Sequence, residues 1–70
     1  MKPQKSKDVK KFIKSQGWTF IRQGRGSHEL WGNPETGVKA PIPFGHKEIS
    51  AGVLEEIEKL LPTNVPKEWK

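Results

Sequence analysis

Seventy residues make one domain, and folding a chain of that length hides only about 60 % of its unfolded surface, which excludes a large enclosed active-site cavity. With 31 % apolar residues, three tryptophans and three phenylalanines but no cysteine, the chain has material for a small aromatic core and excludes disulfides, thiolate nucleophiles and cysteine-based zinc sites. The net charge of +5 is uneven: residues 1–28 carry +7 and residues 29–70 carry −2, so one end is a cationic surface suited to a polyanion such as nucleic acid, or a face kept charged for solubility.

In chain order, Ser6 is an N-cap candidate, Asp8 suits the positive end of a helix dipole and Gly17 is a stop signal, which together predict a helix over residues 7–16. Val9, Phe12 and Ile13 fall on one side of it, and Lys7, Lys10, Lys11 and Lys14 on the other. Residues 18–23 are β-branched and aromatic, residues 24–26 break them, and residues 27–31 resume an extended pattern, so the segment reads as a hairpin. If Leu30 faces the helices, alternation places His28 on the same face near its rim. Ser27, Glu29 and Trp31 then fall on the open face, where Trp31 is offered to an RNA base, a protein partner or a cross-strand neighbour. Residues 33–37 form a second turn. Val38, Ala40 and Ile42 then alternate with Lys39 and Pro41 in a third, edge strand.

Residues 44–48 read as a loop, Ser50 as the cap of a second helix, and Val53, Leu54, Ile57, Leu60 and Leu61 as its apolar stripe before Pro62. Glu55, Glu56 and Glu58 are its solvated face. The order is αβββα, an α+β fold with both helices on one face of a three-stranded antiparallel sheet. A single domain over 1–70 is expected, with its core at about 6–62 and a tail at 63–70 that docks loosely or stays mobile. No apolar run approaches the roughly 20 residues of a bilayer span, and the first residues lack a signal-peptide core, so a cytoplasmic location without membrane contact is expected.

The chemistry concentrates in the stretch Gly24-Arg25-Gly26-Ser27-His28. Cutting RNA without a metal needs a base for the 2′-hydroxyl proton, which neutral imidazole supplies, and donors for the charge that grows on the phosphate. His28 and His46 are the two imidazoles. Arg22, Arg25 and the lysines of the first helix offer cations, and the glycine-rich turn, with Gly26 and Ser27, lets backbone N–H groups approach a phosphate closely. The acids are neither paired nor spaced as a ligand set, so no metal and no cofactor is expected. Alone, a histidine entering a strand is more often a surface residue, and Gly24 and Gly26 more often serve only the turn.

Gly17-Trp18, Arg22-Gln23, Gly26-Ser27-His28, the Pro43…His46-Lys47-Glu48-Ile49 loop and the Ala51-Gly52-Val53-Leu54…Ile57 helix, in this order, resemble the HicA family. Its members are small mRNA-interferase toxins of toxin–antitoxin systems. The resemblance implies a fold similar to the double-stranded-RNA-binding domain, metal-independent endoribonuclease activity on mRNA, and a catalytic histidine at the position of His28. It also implies a HicB-type antitoxin that covers that histidine, the toxin itself being a monomer that enters a hetero-oligomer with it. Family members commonly carry histidine directly after the proline that leaves the third strand. Phe44 stands there in this chain, with His46 two residues on, so the resemblance assigns no catalytic part to His46.

Two other classes remain open at this level. A non-catalytic RNA-binding module of the same topology presents lysines at the start of its second helix, whereas this one begins Ser50-Ala51-Gly52-Val53-Leu54-Glu55-Glu56. A protein-binding adaptor accounts for an open sheet face but not for the lysine stripe.

Overall fold

A computed structural model describes residues 1–70. Strand β1 (Gln4–Lys5) leads directly into helix α1 (Ser6–Ser15). Strands β2 (Thr19–Gln23), β3 (Glu29–Asn33) and β4 (Val38–Ile42) follow, then a short strand β5 (Glu48–Ile49), helix α2 (Ala51–Leu60) and a single 3₁₀ turn at Lys67–Trp69. Sequence patterning accounts for α1, β2 to β4 and α2. It does not reveal β1 and β5, whose two residues each are too short to show a period.

The β1–β5 pair changes how α1 starts. Gln4 stands opposite Ile49 and Lys5 opposite Glu48, so Lys5 is held extended and occupies the cap position expected of Ser6. The Ser6 hydroxyl donates instead to the His46 carbonyl, and the Ser6 N–H to the Lys47 carbonyl at 2.8 Å. At the other end the Gly17 N–H donates to Lys14 O at 3.1 Å and the Trp18 N–H to Ile13 O at 3.0 Å. With Gly17 at φ +90° and both Ile13 and Trp18 buried, this is a Schellman ending with its apolar contact.

The central sheet is antiparallel in the order β2-β3-β4. Trp31 stands opposite Phe20 and Ala40, and a bulge between Phe20 and Arg22 sets Arg22 opposite Leu30. Register decides the faces. Val38, Ala40 and Ile42 lie across from Asn33, Trp31 and Glu29, and Ile42 is fully buried, so Trp31 and Glu29 share the helix-facing side. The assignment conditional on Leu30 facing the helices is therefore reversed, and His28, expected on the helix-facing side with Leu30, falls with it on the outer side. Trp31, the larger apolar group, is 3 % exposed, and Leu30 lies on the other side, half-buried.

Both helices cover that side. The core is built from Val9, Ile13 and Trp18 of the first part, Trp31 and Ile42 of the sheet, Phe44 and Ile49 of the connection, and Leu54, Ile57 and Leu61 at α2. Ser50 caps α2 by accepting from the Val53 N–H at 3.4 Å. Val65 and Trp69 complete the core, which settles the state of the tail: it docks. Trp69 meets Phe12 edge-on at 5.1 Å, and its carbonyl accepts from the Lys2 N–H at 2.6 Å. Glu58, expected on a solvated face, holds the tail instead: its Oε2 accepts from the Val65 N–H at 3.1 Å and pairs with Lys70 at 3.2 Å. These two donors, the Val65 N–H first, keep its carboxyl below the usual value.

Candidate functional site

Lys7, Lys10, Lys11 and Lys14 rise from α1 along one groove, whose other walls are Ser6 and Phe44. Lys10 Nζ lies 4.9 Å from the Phe44 ring centroid, 5.9 Å from that of Trp31 and 3.9 Å from Glu29 Oε1. Lys14 Nζ lies 5.8 Å from the Trp31 ring. Exposed cation–π contacts contribute about 0.5–1 kcal/mol and surface ion pairs about 0–1 kcal/mol. These contacts bias the ammonium groups toward the groove without holding them there. A phosphate can therefore recruit them at small cost.

His28 stands at the entry to β3. Its N–H donates to Arg25 O at 2.9 Å, and its carbonyl accepts from the Gly24 N–H at 2.9 Å and from Gln23 Nε2 at 2.9 Å. Gln23 Nε2 also reaches Gly26 O at 3.3 Å. Gly26 has φ +56° while Ser27 does not go positive, the pattern of a tight type II′ turn, so the glycine is required there. The backbone on either side of His28 is thus fixed while its side chain remains exposed.

Gly45 links this turn to the lysine groove. Its N–H donates to Ser27 O at 2.9 Å, and a Cβ at this position would stand 2.6 Å from the Ser27 Cβ. Only glycine permits that approach. The same loop receives Ser6 through its His46 and Lys47 carbonyls. The hairpin turn, the loop after β4 and the start of α1 are therefore joined; Lys10 reaches Glu29, while His28, one residue before it, alternates to the other face of the sheet with Leu30 and Arg22.

Ser27 is half-buried beneath Gly45; Arg25 and Gly26 are exposed at the tip of the turn. Arg22, opposite Leu30, lies on the sheet face turned away from the α1 lysines. His46 is exposed on the connecting loop. Of the three uses open to Trp31, the structure shows the cross-strand one: it is buried and edge-on to Phe20, and Trp69 is buried as well. No cluster of three or more histidines and acids stands close enough to hold a metal.

Sequence reasoning did not find Phe44, Gly45 or Glu29 at this site. Phe44 was visible as the one aromatic in a polar loop; the roles of Gly45 and Glu29 depend on contacts across the chain and leave no local signal. No helix is long and apolar enough to cross a membrane.

No curated protein and no solved structure matches the chain. A family model described as the HicA toxin of bacterial toxin–antitoxin systems matches residues 6–61, a span that runs from the first residue of α1 to the one after α2 and takes in the lysine groove, the turn before His28 and the loop that joins them. Four fifths of the chain is covered by that match, and its αβββα order agrees with the architecture expected from the motifs: the protein belongs to the HicA toxin family.

Proposed function

We propose that this toxin is a metal-independent endoribonuclease acting on mRNA, with His28 as the general base. The observation that supports it best is the junction at Gly45, which ties the turn before His28 to the loop whose Phe44 walls the groove of Lys7, Lys10, Lys11 and Lys14. Single-stranded RNA follows the lysines through its phosphates. Neutral His28 takes the 2′-hydroxyl proton, the 2′ oxygen bonds to the adjacent phosphorus, and the phosphorus–5′-oxygen bond breaks, the 5′ oxygen taking up a proton from water. Arg25 and the backbone N–H groups of the turn, Gly26 and Ser27 among them, meet the charge that grows on the phosphate. Arg22 contacts RNA beyond the turn, on the outer face.

A toxin of this family implies a cognate antitoxin. In our reading it is a HicB-type protein with an acidic surface that covers His28 in a hetero-oligomer. The toxin acts in the cytoplasm, where its substrate is. Incubation with RNA in EDTA, followed by mapping of the ends, tests the reaction. The expected products carry 2′,3′-cyclic phosphates and 5′-hydroxyls; intact RNA, or cleavage that EDTA stops, contradicts the reading.

A further inference from the structure

A second groove opens on the same side of the sheet, between α1 and the β2–β3 hairpin, and its chemistry differs from that of the lysine path. Its floor is Trp31, 3 % exposed; its wall is Phe20, 51 % exposed and edge-on to Trp31 with centroids 6.0 Å apart. Lys10 and Lys14 stand at its rim. Glu29 is turned into it. One carboxylate oxygen accepts from Trp31 Nε1 at 2.9 Å, which fixes the side chain, while Lys10 at 3.9 Å offsets its charge.

We propose that this groove is a nucleobase pocket that sets where the toxin cuts, a deepening of the RNA-cleavage reading on which it rests. Phe20 exposes an aromatic ring in a groove that two cations also line, the combination that stacks an unpaired base while its phosphates are held. Glu29, an acceptor with no donor of its own, repels phosphate and accepts from a base edge. Guanine fits best, because its N1–H and N2–H donors lie side by side. Uracil fits worst, because its single N–H lies between two carbonyl oxygens that face the carboxylate. The pocket therefore selects guanine and rejects uracil one position from the cut or more.

Two readouts test it, one independent of cleavage. Titrations of tryptophan fluorescence with short single-stranded oligoribonucleotides, one containing guanosine and one of uridine only, should show tighter binding of the first. Phe20→Ala should weaken it about 5- to 150-fold, the loss that removing one base–aromatic stack carries. Phe20→Leu, which keeps an apolar contact to Trp31 but no π face, should lose most of the same affinity. Glu29→Gln keeps an acceptor for Trp31 Nε1 and should narrow the guanosine–uridine difference. Ends mapped on a random RNA pool should show a guanine preference at one fixed position, and Glu29→Gln should erase it. If the protein cuts RNA but neither substitution changes the oligonucleotide affinities or the cut-site profile, the pocket is wrong and the RNA-cleavage reading stands. If the protein binds guanosine oligonucleotides with these dependences but never cuts, the pocket stands and the cleavage reading falls. Should Phe20→Ala leave oligonucleotide binding unchanged and abolish binding of the antitoxin, the groove is a protein interface and the inference is overturned.

Discussion

At the scale of single residues, the site depends on one atom that is absent: the Cβ of Gly45. Gly45→Ala puts a methyl group 2.6 Å from the Ser27 Cβ and 2.8 Å from its Cα, so loop and turn must separate. Overpacking of this kind costs about 1–3 kcal/mol, and in a domain of this size each kcal/mol lowers the melting temperature by about 4–8 °C. Thermal unfolding followed by circular dichroism should show that drop for Gly45→Ala. Gly52→Ala, where the new Cβ meets nothing within 4 Å, should instead raise the melting temperature slightly. The candidate base, the lysines and the turn glycines were all legible in the sequence, because charge, imidazole and glycine are properties of the residue itself. The contacts of Gly45, Glu29 and Phe44 were not, because each involves a partner at least 15 residues away or across the sheet.

Among the elements, α1 supplies both a wall of the core and the charged path, and its two faces were readable from spacing alone. Val9 and Ile13 are fully buried; Lys7 and Lys11 are exposed and make no ion pair. Each phosphate contact on a single strand contributes about 0.7 to the slope of log affinity against log salt. Replacing Lys7 and Lys11 with alanine should therefore flatten that slope by about 1.4 in binding titrations, with the helix content unchanged. An unchanged slope removes these two lysines from the RNA path. The sheet was legible in order but not in facing. Alternation fixes which residues of β3 share a side without saying which side is inward, and the register with β4, whose Ile42 is fully buried, decides it. The start of α1 was misjudged for a related reason: Ser6 has the local chemistry of a cap, but pairing of Lys5 with Glu48 moves the cap one residue back and turns Ser6 toward the His46 loop.

On the scale of the whole molecule, the tail is the part that composition left open. Val65 and Trp69 close the core, and Glu58 holds them through the Val65 N–H and Lys70. Because those donors favour the carboxylate, Glu58 binds its proton less readily in the folded chain than in the unfolded one. Its contribution is therefore complete above the ordinary value of 4.5 and is lost as the pH falls below it, through the depressed folded value. Hydrogen exchange should show the amides at Val65 and Trp69 losing protection in that acid range, and Glu58→Gln should produce the same loss at neutral pH. The cationic first part and the slightly acidic remainder, visible from the composition, meet at the entry to β3, between His28 and Glu29. The claim that His28 is the reactive centre is tested most directly by comparing RNA cleavage by the parent, His28→Ala and His46→Ala proteins. We expect His28→Ala, folded as judged by circular dichroism because an exposed side chain adds little to the core, to lose about 10²- to 10⁴-fold in rate. His46→Ala should retain activity. A folded His28→Ala protein that cuts at the parent rate, beside an inactive His46→Ala protein, would contradict the account and move the reactive centre to the loop after β4.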